Sequence, residues 1–144
     1  KSGTISTGSN SGSGSSGSGS SSGASASVSG GGSGAAIASY ALKFVGNPYV
    51  SGGTSLTNGA DCSGFTWAVY QNFGISIPRQ SDAQGHSGKS VSYADAQAGD
   101  IIYYGGHVGI YIGGGRIVHA STAKTGIKIS SATYRGILSV RRYY

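Results

Sequence analysis

The sequence has one cysteine, no glutamate, and no apolar run near the roughly 18 residues a membrane-spanning helix needs. A single cysteine excludes an intramolecular disulfide. By itself it reads as a small buried hydrophobe. Negative charge is scarce, with four acidic residues against ten Lys or Arg and a formal net charge of +6. A basic surface suits anionic polymers or is simply a solvated face. Arg141 and Arg142 adjoin, but no longer basic run resembles a nucleic-acid arm. Anionic wall polymers, nucleic acid and anionic lipid all fit the charge; the expectation is no nucleic-acid partner, no membrane span and a monomer. No basic-then-apolar leader opens the chain at Lys1. The expectation is a carboxy-terminal domain of a longer protein whose signal peptide is already gone.

The chain divides by composition. Residues 1–34 hold 26 Ser or Gly and one charge, Lys1. Such a segment cannot bury enough apolar surface to offset ordering entropy, so it reads as a flexible linker. Residues 35–144 form one small domain, large enough to bury a core without metals or disulfides.

Periodicity within that domain predicts helices first and strands afterwards. Gly34–Val45 reads as a helix, with Ile37, Ala41 and Phe44/Val45 at helical spacing, Ser33 as its cap and Gly46 as its stop. A loop follows from Asn47-Pro48. The second helix spans Cys62–Phe73, with Phe65, Ala68, Val69 and Phe73 apolar and Asp61 in the capping position. Strands are expected at Ile101–Tyr104, His107–Ile112, Arg116–Ala120, Ile127–Ser130 and Ile137–Tyr143. Gly105-Gly106 fits a two-residue hairpin turn. The class is α+β, with an antiparallel sheet of about five strands.

Cys62 opens its helix, where free backbone N–H groups and the helix dipole favour a thiolate. Gly64 is read as room for a substrate backbone, and the Cys62 N–H as one oxyanion donor. Three histidines exist, and His86 sits in a polar stretch that reads as surface. If Gly113–Gly115 is a three-residue turn, Ile112 faces Arg116, Gly109 faces His119, and His107 faces Ser121. His107 and His119 then share one face as diagonal neighbours, about 7–8 Å apart at Cα. A one-residue slip would part them. The arrangement suits nucleophilic catalysis: Cys62 attacks a carbonyl, His107 takes and returns the proton, and His119 orients His107. A structural zinc site lacks a second cysteine, so no metal or cofactor is expected.

Asp61-Cys62-Ser63-Gly64-Phe65 resembles the DCSGF signature of the NlpC family of bacterial cell-wall cysteine endopeptidases. Gly99-Asp100-Ile101 and Gly106-His107-Val108-Gly109-Ile110-Tyr111-Ile112 are similar to that family's GD…HVGIYIG block, and Ile117-Val118-His119-Ala120 to its third catalytic position. Asn47-Pro48-Tyr49-Val50 with Gly52-Gly53, and Arg79-Gln80-Ser81 with Gln84, resemble two further motifs of the family, in the same order along the chain. Ser51 stands where the family often has an aromatic residue, and Ala98 where it usually has Pro. The resemblance implies a papain-like fold and a secreted, wall-associated hydrolase. Its substrate would be the γ-D-glutamyl bond to diaminopimelate or Lys in peptidoglycan stem peptides. It implies that Tyr49 helps polarise the scissile carbonyl and that Asp61, Ser63, Arg79 and Ser81 line the substrate pocket. The rival readings are an amidase or cross-bridge peptidase of the CHAP type, and an inactive wall-binding module.

Overall fold

The computed structural model describes residues 33–144. The expected linker, residues 1–34, therefore lies outside the described residues except for Ser33 and Gly34. Both of these already belong to the first helix, α1 (Ser33–Leu42), so Ser33 opens the helix instead of capping it. Ile37, Ala38, Ala41 and Leu42 form its buried stripe. A short ribbon follows, β1 (Thr54–Ser55) and β2 (Gly59–Ala60), and then α2 (Cys62–Asn72). Phe65, Val69 and Tyr70 are the fully buried apolar residues of α2. Phe73, expected on that buried face, is 37% exposed and meets the Tyr40 ring edge to face. Tyr70 takes the buried place and donates its hydroxyl to Gly99 O.

The short helix α3 (Ser81–His86) precedes β3 (Lys89–Val91), a 3₁₀ turn (Tyr93–Asp95), β4 (Ile101–Tyr103), β5 (Val108–Gly113), β6 (Arg116–Thr122), β7 (Gly126–Ser131) and β8 (Ser139–Arg142). The six strands form one antiparallel sheet in the order β3-β8-β4-β5-β6-β7. The sheet has one strand more than expected. Lys89-Ser90-Val91 has only one apolar residue and no alternation, so it reads as strand only once β8 supplies its partner. Val108, Ile110, Ile112, Val118 and Ala120 pack with α1 and α2. Ile102, Tyr104, Ile117, Ala132 and Val140 form a second cluster across the sheet.

The hairpin β5–β6 sets the spacing of the two histidines. Its turn holds two residues, Gly114-Gly115, because Gly113 pairs with Arg116. The expected Ile112–Arg116 pair is thus not formed. Taken alone, that turn would put His107 and His119 on opposite faces. A register shift between Tyr111 and Gly113 restores the parity, so Tyr111 pairs with Ile117 and Ile110 with Val118. Gly109 then lies against β6, where a Cβ would stand 3.2 Å from His119 Cβ and 2.8 Å from Ile117 Cδ1. Gly113, Gly114 and Gly115 all have positive φ (91°, 63° and 76°), which a side chain would strain.

Candidate active site

Asp61 builds the start of α2. Its backbone is extended (φ −87°, ψ −177°), and its Oδ1 accepts from Gly64 N at 2.7 Å. Its Oδ2 accepts from Gly52 N at 3.0 Å, which ties the preceding loop to the same cap. Gly64 has a different use from the one expected. A Cβ there would meet Gly53 O at 2.0 Å, so its bareness admits the chain's own loop, not a substrate.

Cys62 is the next residue, 9% exposed. Its thiol lies 4.0 Å from Gly106 O, the residue before His107. Burial is the largest influence on the sulfur and pushes the thiol up, with Asp61 adding to the rise. The backbone N–H groups of Val108, Ser63 and Cys62 oppose it and lose. The helix start therefore does not by itself yield the thiolate expected from sequence, because desolvation outweighs the oriented N–H groups. Tyr49 stands beside this sulfur: burial raises its hydroxyl first, then the charges of Cys62 and Asp61.

His107 leaves the turn Gly105-Gly106, closed by Tyr104 N donating to His107 O at 2.9 Å. It lies one residue before β5, not within a strand as expected. His107 Nε2 and His119 Nδ1 are 2.7 Å apart, and His119 Nε2 is 2.8 Å from Ser130 Oγ. The rings meet edge to face at 79°. Desolvation, then Arg135, lowers His107 to about 4. Desolvation, then His107, Lys128 and Arg135, lowers His119 to about 3. Both rings are thus neutral at pH 7 and carry one N–H each. If Ser130 accepts from His119 Nε2, His119 Nδ1 accepts from His107 Nε2. His107 Nδ1 is then a bare lone pair for the thiol proton.

Asp61, Ser63 and Arg79 form one network. Arg79 Nη1 donates to Ser63 Oγ at 2.8 Å, and its Nη2 lies 3.3 Å from Asp61 Oδ1. Among the described residues, no side-chain hydrogen bond joins Ser81, the first residue of α3, to that network. His86 is exposed, as its setting indicated. The sequence reading missed two residues here, Ser130 and Asp82, and gave a third, Gln84, no role. Ser130 holds His119. Gln84, fully buried, takes the Thr66 hydroxyl at 2.5 Å and donates to Ser63 O at 3.0 Å. Asp82 accepts from the Tyr103 hydroxyl and from Gly106 N at 3.3 Å, so it braces the turn that carries His107. Gln84 was visible as part of a motif; Ser130 and Asp82 gave no signal until the sheet brought them close. No group of three or more His, Cys, Asp or Glu that could hold a metal ion occurs among the described residues.

The NlpC/P60 family profile matches residues 46–140. A Corynebacterium glutamicum protein named as a probable endopeptidase is 43% identical over 111 residues, covering 75% of this chain and 53% of its own length. A Bacillus subtilis gamma-D-glutamyl-L-lysine dipeptidyl-peptidase is 38% identical over 98 residues, covering 62% of this chain and 33% of its own. The solved NlpC/p60 domain of the peptidoglycan hydrolase SagA superposes with a TM-score of 0.70 at 36% identity, covering 77% of this chain and 99% of that domain. The chain thus spans about half, or less, of these two relatives' length while matching the solved domain nearly whole. With the profile running from the loop before Tyr49 into the last strand, the chain belongs to the NlpC/P60 family.

Proposed function

We propose that this chain is a cysteine endopeptidase that hydrolyses the γ-D-glutamyl bond to diaminopimelate or Lys in cell-wall stem peptides. One observation carries the reading: Cys62 opens α2 beside a hydrogen-bonded chain of His107, His119 and Ser130. A γ-D-glutamyl substrate is supported by the Bacillus subtilis relative's name, and peptidoglycan as the target by the matched domain of SagA, named a peptidoglycan hydrolase.

The chemistry begins with a neutral thiol and a neutral imidazole. Cys62 Sγ attacks the scissile carbonyl as His107 Nδ1 takes its proton. The Cys62 N–H and the Tyr49 hydroxyl face the developing oxyanion. His119 holds the His107 ring through Nε2. Collapse breaks the C–N bond, His107 returns the proton to the departing amine, and a thioester remains on Cys62. Water, deprotonated by His107, hydrolyses the thioester and restores the thiol. Asp61, Ser63 and Arg79 bind the amino-terminal half of the stem. The site of action is outside the cytoplasmic membrane, at the wall, where a basic domain favours anionic polymers. No helix among the described residues is long and apolar enough to cross a membrane.

Mass spectrometry of muropeptides after digestion tests this. The expected product is the glycan still carrying L-Ala-γ-D-Glu, with the peptide beginning at diaminopimelate or Lys set free, and Cys62→Ala should lower its formation by more than about 10³-fold. Cleavage at the glycan-proximal amide instead would assign the chain to the amidase type. An active Cys62→Ala variant would end the cysteine mechanism.

A further inference from the structure

The Asp61–Ser63–Arg79 network lies on the Cys62 side of the site. The opposite flank carries a different wall. On the reading above, His107 protonates the departing amine, so the half of the substrate that leaves must lie along the flank of His107. The loop of residues 132–138, between β7 and β8, borders that flank. Leu138 N donates to Tyr103 O at 2.8 Å, and a Cβ on Gly105 would lie 3.1 Å from Leu138 Cδ1, two residues before His107. The Tyr134 ring is 5.5 Å from that of His119 and 5.4 Å from that of Tyr104. Tyr104 is in turn 6.1 Å from His107 and carries the Arg135 guanidinium 5.8 Å above its ring.

Leu138 is 67% exposed and Tyr134 44%, so apolar surface is left open beside His119 and beside the turn that precedes His107. Exposed apolar surface at the rim of a reactive cleft is the kind a ligand covers. Arg135 stands over the Tyr104 ring, which adjoins Tyr134, and every acidic side chain of the sequence is engaged elsewhere. Asp61 pairs with Arg79 and Asp100 with Arg142. Asp82 accepts from Tyr103, and Asp95 from Ser92. The charge of Arg135 also disfavours protonation of both histidines, which puts it within electrostatic reach of the base.

We propose that Arg135, with Tyr104, Tyr134 and Leu138, forms a subsite for the leaving half of the substrate and takes a carboxylate carried there. The proposal rests on the γ-D-glutamyl endopeptidase reading and adds the chemistry of the leaving group. A stem peptide offers two such carboxylates: the side-chain carboxylate of diaminopimelate, which Lys lacks, and the peptide's terminal carboxylate. A docked carboxylate would offset the Arg135 charge and leave His107 a stronger base.

Four synthetic peptides test it, all of the form L-Ala-γ-D-Glu-X-D-Ala. In three, X is diaminopimelate, diaminopimelate amidated on its side chain, or Lys. The fourth is the diaminopimelate peptide amidated at its terminus. The readout is kcat/KM for the wild type and for Arg135→Gln. A hydrogen bond to a charged group corresponds to roughly tenfold, so the wild type should prefer one charged form over its amidated partner by about that factor. In Arg135→Gln the ratio should fall towards one, and Arg135→Lys should keep part of it. The arm that shows the ratio identifies which carboxylate is read. Equal rates on all four peptides, or a ratio that survives in Arg135→Gln, would overturn the subsite while leaving the endopeptidase reading intact. No cleavage of any peptide by a chain whose Cys62 still reacts with iodoacetamide would overturn both.

Discussion

Acid should unfold this domain through its two buried imidazoles. His107 titrates at about 4 and His119 at about 3 in the folded chain, against 6.5 for an unperturbed histidine. Between those values the unfolded chain binds protons that the folded chain refuses. Stability is therefore complete above pH 6.5 and is lost as pH falls towards 4 and then 3. Keeping a ring neutral at pH 4 costs ~3 kcal/mol for His119 and somewhat less for His107, which is half-protonated there. The two shares sum to ~6 kcal/mol and solvent screening at the open cleft lowers that, so a joint loss of ~3–6 kcal/mol between pH 7 and pH 4 is expected. Asp82, held below the usual carboxylate range by Tyr103 and Gly106, acts in the same direction but below this window. The loss is a large part of the ~5–15 kcal/mol that stabilises a typical domain. Urea unfolding at a series of pH values measures it, followed by the fluorescence of Trp67, the single tryptophan. His119→Gln should flatten the dependence markedly. A wild-type change of less than ~1 kcal/mol over that range, or an undiminished slope in His119→Gln, would refute the neutral buried pair.

Ser130→Ala removes the acceptor from His119 Nε2–H, and kcat should fall about tenfold while KM moves little. Nitrogen-15 spectra of the ring should change with it, and an unchanged His119 signal with unchanged kcat would sink the tautomer argument. Gly64→Ala forces a Cβ to within 2.0 Å of Gly53 O. It should cost ~1–3 kcal/mol in urea unfolding, and a neutral result would mean that the loop yields freely. Asp82→Ala frees the turn before His107, so kcat/KM should drop about tenfold with the melting temperature little changed. Equal activity would show that the turn holds without its brace.

The α+β class, the second helix and its cap, and the histidine pair were legible because each rests on local chemistry. Asp61 precedes an apolar helical stretch, and a glycine turn joins two strands. Even so, the pair was reached by way of a three-residue turn, while the chain uses a two-residue turn followed by a register shift. The two routes give the same parity. Only pairing across β5 and β6 reveals which one is used.

Sequence by itself determined which residues could carry the reaction: one thiol, three imidazoles, and a helix start at the thiol. Tertiary structure decided their chemical state. Burial sets the thiol high and both rings low, and burial depends on neighbours far along the chain. The same is true of Ser130, which reaches His119 across eleven residues of sequence, and of Asp82, which reaches Gly106 across twenty-four. Gly64 looked like space for a substrate and is occupied by the chain's own Gly53, because a missing side chain shows that something comes close without showing what.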